Sequence, residues 1–181
     1  MRLSFLASCL AFALGADLES GPEKGAKIPA LKVYDCTGEN KGKAVDYAAD
    51  YAALRKDKAT IYLFLPAAKF DRPMHRFIKK LDETVSADYE GVYLVVVWLT
   101  DDEPAAKERL PKIQMSVNYA ATALCSHKGG EPKDWNVNGD AHLTVVVAAK
   151  GKVAARFAYR SVNDTDAPDV VKALKKVAGK K

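Results

Sequence analysis

Ile61-Tyr62-Leu63-Phe64-Leu65 is a continuous apolar run, and Val92 to Leu99 is a second one. Runs without polar alternation are typical of strands that are covered on both faces. Asp71 to Val85, between them, has the pattern of an amphipathic helix that Asp71 can cap. Its inward positions are Met74, Phe77, Ile78, Leu81 and Val85. This order predicts a parallel βαβ unit with a right-handed crossover.

Working outward toward the C-terminus, the sequence predicts four more elements. A helix opens at Asp101 and should end at about Leu110, because Pro111 follows. Leu143 to Ala148 is a third core strand, and Val153 to Tyr159 should return beside it as an antiparallel hairpin partner. A last helix begins near Asp166. The predicted core is therefore βαβ-α-ββα, an α/β fold with a central mixed sheet.

Three weaker elements complete the prediction. Leu31 to Tyr34 is a short strand that ends at the turn-rich Thr37 to Asn40, and it forms an N-terminal strand extension. A weak helix is predicted over Tyr47 to Arg55, and a possible strand over Ala121 to Cys125 within a less regular stretch.

The first residues have the pattern of a cleavable signal. Met1-Arg2 is basic, Leu3 to Leu14 is apolar but too short to span a bilayer, and small residues stand at Ala13, Gly15 and Ala16, where we expect cleavage. We therefore expect residues 1–16 to be a signal peptide, and the mature protein to be exported to the periplasm or the extracellular space.

The remaining chain fits one domain. Of 181 residues, 49% are hydrophobic and 28% charged, which indicates a globular chain with a single core. Residues 17–30 read as a polar lead-in, and residues 31–178 as a single domain. The net charge is +5, and four of the basic residues lie at the C-terminus, so the charge gives a nucleic-acid role little support. No segment after the signal is predicted to span a membrane. Those bases are Lys175, Lys176, Lys180 and Lys181.

Trp135-Asn136-Val137-Asn138-Gly139, then a strand, then Lys150-Gly151-Lys152-Val153 resembles the second half of the thioredoxin-like redoxin family. Together with the element order, the resemblance covers most of residues 25–178. It implies a thioredoxin-like fold, with a CxxC motif between the first core strand and its helix. This chain has Lys69-Phe70-Asp71-Arg72 there and no CxxC anywhere, and Ala141 or His142 stands in the place of the family's cis-proline.

This departure decides the expected chemistry. Thiol exchange needs a thiolate at the helix start, and neither Lys69 nor Arg72 can supply one. A helix N-terminus beside two bases can hold an anionic ligand or an acidic protein segment, so Lys69, Asp71, Arg72 and His142 form a candidate ligand site. The alternative is a capped, solvated helix start, with His142 a hydrogen-bonded residue at a strand start.

Cleavage of the signal removes Cys9 and leaves Cys36 and Cys125. These two either form a disulfide or are small buried apolar residues. Cys125-Ser126-His127 offers two ligands, which do not make a metal site, so neither metal nor cofactor is expected. The sequence thus favours an exported, non-catalytic binding or structural module. The alternative is a thiol-dependent oxidoreductase or peroxidase that uses Cys36 or Cys125.

Overall fold

The computed structural model describes residues 18–48, 58–117, 120–129 and 131–180. The predicted signal peptide and nearly all of the predicted helix from Tyr47 to Arg55 lie outside these residues. The strands are β1 (Lys32–Asp35), β2 (Ala44–Asp46), β3 (Thr60–Pro66), β4 (Tyr93–Thr100), β5 (Thr122–Lys128), β6 (Leu143–Ala149) and β7 (Lys152–Tyr159). The helices are α1 (Arg72–Asp88), α2 (Glu103–Val117) and α3 (Ala167–Leu174).

Within the described ranges the strands form one mixed sheet in the order β2-β1-β5-β4-β3-β6-β7. β3, β4 and β5 are parallel, β6 is antiparallel to β3, and β7 is antiparallel to β6. The predicted core strands are therefore confirmed, including the closing hairpin. The architecture is an α/β, thioredoxin-like fold.

The three α-helices of the described ranges pack on one face of the sheet. Phe77 of α1, Leu110 of α2 and Val170 of α3 belong to a single buried cluster with inward residues of the central strands. Two consecutive right-handed crossovers, β3-α1-β4 and β4-α2-β5, place their helices on the same side when the strands are added in one direction. The main core therefore lies between this helix layer and the sheet.

Among the described residues, irregular chain packs on the second face of the sheet. Trp135 is fully buried there, with its ring centroid 5.0 Å from Tyr62 and 4.8 Å from Phe64. Its indole nitrogen donates a hydrogen bond to the carbonyl oxygen of Ala30 at 2.9 Å. This face is thus covered in part by one large aromatic side chain whose polar atom is hydrogen-bonded.

The segment predicted as a polar lead-in is docked on the domain. The hydroxyls of Ser20 and Thr144 are hydrogen-bonded at 2.6 Å in a buried position, and Arg156 donates to the carbonyl oxygen of Gly21 at 2.8 Å. Lys27 forms an isolated antiparallel bridge with Lys152. Residues 18–30 consequently belong to the same folded unit as the sheet.

The predicted end of α2 is wrong. The helix continues through Pro111 to Val117 instead of ending near Leu110. Proline removes one hydrogen bond of the helix, but contacts beyond it hold the last turns in place. Ile113 packs against the main core, and Gln114 accepts a hydrogen bond from the Thr37 hydroxyl at 3.3 Å.

The predicted irregular stretch around Ala121 to Cys125 is a full strand, β5, with Cys125 inside it. It pairs in parallel with β4 and antiparallel with β1, so the two strands predicted outside the core, β1 and β5, lie side by side. The sequence did not predict β2, which pairs with β1. Buried Asp82 of α1 holds the start of β5, because its carboxylate accepts hydrogen bonds from Ala121 N–H and the Thr122 hydroxyl at 2.9 and 2.7 Å. Of the described helices, none is long and apolar enough to cross a membrane.

Candidate functional site

The start of α1 follows β3 after a short 3₁₀ turn, Ala67–Lys69. Asp71 is the N-cap, and its carboxylate accepts a hydrogen bond from the backbone N–H of Met74 at 2.9 Å. Pro73 lies in the first turn, where a missing N–H costs little. The local sequence therefore builds the capped helix start at the position where the resemblance places a redox motif.

His142 joins this helix start to the strands behind it. Its Nδ1 accepts a hydrogen bond from the N–H of Val162 at 3.2 Å, so the ring proton of the neutral imidazole lies on Nε2. Nε2 lies 2.9 Å from the carbonyl oxygen of Lys69 and 3.5 Å from a carboxylate oxygen of Asp71. The imidazole is thus a hydrogen-bonded tether that links residues far apart in sequence.

The ammonium group of Lys69 is also used within the protein. Its Nζ donates hydrogen bonds to the carbonyl oxygens of Gly139 and Ala141 at 2.7 and 3.2 Å. Charge-assisted bonds of this kind satisfy carbonyl groups of the loop that precedes β6. Lys69 therefore has a structural partner where the sequence suggested an anion ligand.

Of the four predicted site residues, the structure brings Lys69, Asp71 and His142 together. Arg72 is exposed, and its guanidinium makes neither an ion pair nor a hydrogen bond among the residues that the structure describes. The Arg72 guanidinium would attract an anion at this helix start. The Asp71 carboxylate would repel the anion, and it already occupies the N–H group of Met74.

Phe70 was not singled out by the sequence and occupies the centre of this stretch. Its ring lies 4.6 Å from that of Trp98 on β4, between centroids, and the Arg109 guanidinium lies 5.5 Å from the Trp98 ring. The sequence signal that could have indicated its role is the apolar Phe70 directly before the capping Asp71. In place of a thiol, the helix start thus has an aromatic contact to the sheet.

Cys36 and Cys125 are buried free thiols. Cys36 belongs to the cluster under the helices, whereas Cys125 belongs to the cluster on the other face of the sheet. Burial raises the pKa of the Cys36 thiol, and the opposing effects of Ser126 and Lys107 do not cancel the shift. Burial also raises the pKa of the Cys125 thiol well above its usual value. Both thiols are therefore protonated at neutral pH, and Cys125 is not in the irregular setting expected from the sequence.

No family model matches the chain, and no curated protein matches it. Several solved structures do resemble it. The mitochondrial 2-Cys peroxiredoxin of Plasmodium falciparum is 14% identical with a TM-score of 0.62, covering 86% of this chain and 94% of its own. A DsbF homologue from Corynebacterium diphtheriae is 16% identical with a TM-score of 0.61, over 91% of this chain and 96% of its own.

A peroxiredoxin-like protein from Aquifex aeolicus is 20% identical with a TM-score of 0.58, covering 88% of this chain and 90% of its own. These similarities extend over nearly all of each chain, so they concern the whole domain. At such low identity they establish the thioredoxin-like fold of the redoxins, and the chemistry has to be argued from this chain's own residues.

The bonds of Lys69 give a prediction with a matched control. Lys69→Met should lower the free energy of unfolding by about 1 to 3 kcal/mol, because it leaves two carbonyl groups without their donor. Arg72→Met, which removes the same charge three residues away, should change it by no more than about 0.5 kcal/mol. Urea denaturation of both variants measures this, and equal losses would contradict the structural role of Lys69.

Proposed function

We propose that this chain is an exported thioredoxin-fold protein without thiol catalysis, which acts as a binding or structural module. The observation that carries the proposal is the start of α1. The side chains there are Lys69, Phe70, Asp71 and Arg72, so a helix N-terminus that could lower a thiol pKa has no thiol to act on. The cap and the hydrogen bonds of Lys69 stabilise the loop instead.

The placement of the two cysteines supports the same proposal. A reactive cysteine is partly exposed and has a lowered pKa, because the thiolate is the nucleophile. Cys36 is 3% exposed and Cys125 is fully buried, and the pKa of each thiol is raised. Since their side chains lie in clusters on opposite faces of the sheet, they also lack the arrangement of an exchanging pair.

Export is supported by the sequence alone. The basic Met1-Arg2, the apolar run Leu3 to Leu14 and the small residues at its end form a signal pattern. N-terminal sequencing of the protein from its native host would test the proposed cleavage between Ala13 and Ala16. A mature chain that still begins at Met1 would contradict export by this route.

The catalytic part of the proposal is tested by turnover. The mature protein should reduce insulin with dithiothreitol, and hydrogen peroxide with a thiol donor, no faster than the uncatalysed reactions. The reason is that neither buried, protonated thiol can attack at a useful rate. Turnover above background that disappears in Cys36→Ser or in Cys125→Ser would establish the alternative, a thiol-dependent oxidoreductase or peroxidase.

A thiol count on the same preparation separates the remaining states of the cysteines. In the native mature protein, Cys36 and Cys125 should react slowly with a thiol reagent, and both should react rapidly once the protein is unfolded. The count should be the same with and without prior reduction. A count that rises only after reduction would show a disulfide and contradict the free thiols.

A further inference from the structure

A groove of about 560 Å³ lies between the β1–β2 hairpin, the end of β5 and the first turns of α2. It lies apart from the start of α1, and no residue of the candidate site described above lines it. Tyr34 and Ala44, which are paired on this face of the β1–β2 hairpin, supply apolar surface to its walls. Its volume is in the range of small-molecule sites and is larger than a single inorganic ion needs.

The side chains that line this groove carry more positive than negative charge. Tyr34 of β1 is paired with Ser126 of β5, and continuing this antiparallel register places Lys32 opposite Lys128 on the same face. Both lysines are exposed, and the ammonium group of neither makes an ion pair or a hydrogen bond with the described part of the chain. Like charges on facing strand positions repel each other, and although Lys32 is also paired with Asp46 of β2, a bound anion would lower the repulsion between the two lysines.

The opposite wall carries a third ammonium group. Nζ of Lys107 lies 3.7 Å from the centroid of the Tyr34 ring and is paired with Glu103 one turn earlier. Asp46 also lines the groove, but its carboxylate accepts hydrogen bonds from the N–H groups of Leu31 and Ala48. Glu103 is thus paired with Lys107, and one carboxylate oxygen of Asp46 with backbone N–H groups, whereas the ammonium groups of Lys32 and Lys128 have no such partner among the described residues.

A buried polar atom points to a ligand independently of the charges. Ser126 lines the groove and is 1% exposed, and within the described residues its hydroxyl oxygen has no hydrogen-bond partner. Its polar neighbour is the Cys36 thiol, a weak acceptor that itself donates to the carbonyl oxygen of Tyr34 at 3.8 Å. A buried hydroxyl without a strong partner destabilises the free protein, and a bound acceptor would remove that penalty.

We propose that this groove is a binding site for a small organic anion, a carboxylate on a compact apolar body. The ammonium groups of Lys32 and Lys128 would bind the carboxylate, the hydroxyl of Ser126 would donate to it, and the apolar walls would contact the body. This inference rests on the proposed binding role and gives it a place and a ligand class.

Benzoate is a suitable probe, followed by the backbone amide shifts of the mature protein in a nuclear magnetic resonance titration. We expect saturable shifts at β1, β5 and the start of α2, and weaker binding of benzyl alcohol and of inorganic phosphate. The first control lacks the charge and the second lacks the apolar body. Benzyl alcohol or phosphate binding as tightly as benzoate would overturn the assigned ligand class, and the absence of saturable benzoate shifts would overturn the site.

Three variants locate the site. Ser126→Ala should weaken benzoate binding by about tenfold, as loss of one hydrogen bond to a charged group does, while its melting temperature stays equal or rises. Lys32→Ala/Lys128→Ala should weaken binding at least as much, whereas Lys152→Ala on the far edge of the sheet should leave it unchanged. A fall in the melting temperature of Ser126→Ala with unchanged binding would show a structural hydroxyl and overturn the proposal.

These results are independent of those for the proposed function. Insulin or peroxide turnover would contradict the non-catalytic role and leave the titration unaffected. A failed titration with no turnover would remove the groove and leave the non-catalytic role standing.

Discussion

Replacing Val96 with aspartate is expected to prevent the chain from folding. Val96 is 1% exposed in β4, where it is paired with Leu63 of β3 on one side and with Leu124 of β5 on the other. All three side chains belong to the main cluster beneath the helices. A carboxylate at this position would be surrounded by hydrocarbon without a partner, which costs several kcal/mol out of a total stability of roughly 5 to 15 kcal/mol.

Soluble expression and thermal unfolding measure this effect. Val96→Ala is the matched control for lost packing and should fold with a loss of about 2 to 3 kcal/mol. Lys152→Asp, which introduces the same acid at the exposed start of β7, should fold normally. A soluble Val96→Asp protein that melts like the wild type would contradict the placement of β4 in the centre of the sheet.

Removing the carboxylate of Asp35 should be almost as damaging. Asp35 is fully buried at the end of β1, and its oxygens accept hydrogen bonds from three backbone N–H groups, those of Thr37, Gly38 and Asn40, at 3.0, 2.6 and 2.9 Å. The hydroxyl of Tyr47 donates a fourth at 2.5 Å. Asp35→Ala would leave these donors without their acceptor, and we expect a loss of about 3 to 5 kcal/mol.

Chemical denaturation of two further variants controls this prediction. Asp35→Asn keeps one acceptor oxygen and should lose less than Asp35→Ala. Asp101→Ala, at an exposed aspartate after β4, should change the free energy of unfolding by no more than about 0.5 kcal/mol. If Asp35→Ala is as stable as Asp101→Ala, the carboxylate does not organise the loop between β1 and β2.

Much of the fold was predictable because its central elements are dictated locally. The apolar runs at β3, β4 and β6 bury nearly every residue, so burial on both faces was visible in the pattern. The amphipathic spacing and the Asp71 cap likewise predicted α1 and its start. These features depend on neighbours in sequence, and sequence patterns report them directly.

The rest depended on contacts between distant residues. Because proline disfavours a continuing helix, Pro111 predicted that the helix ends there. The packing of Ile113 on the core and the hydrogen bond of Gln114 to Thr37, in the loop after β1, outweigh this local preference. The sequence also did not show that β5 is a full strand of the sheet. Its start is held by hydrogen bonds to Asp82 of α1, and the helical pattern around Asp82 does not indicate this partner. Tertiary hydrogen bonds of this kind leave no periodicity in the sequence.

The sequence by itself determined which chemistry the start of α1 lacks, since the residue types Lys69 to Arg72 exclude a thiol in any fold. The tertiary structure alone decided what those residues do. It directs the Lys69 ammonium to loop carbonyls and uses His142 as a tether, because hydrogen bonds form with whatever the fold brings within reach. It also separates Cys36 from Cys125, because alternating side chains on neighbouring strands lie on opposite faces of a sheet.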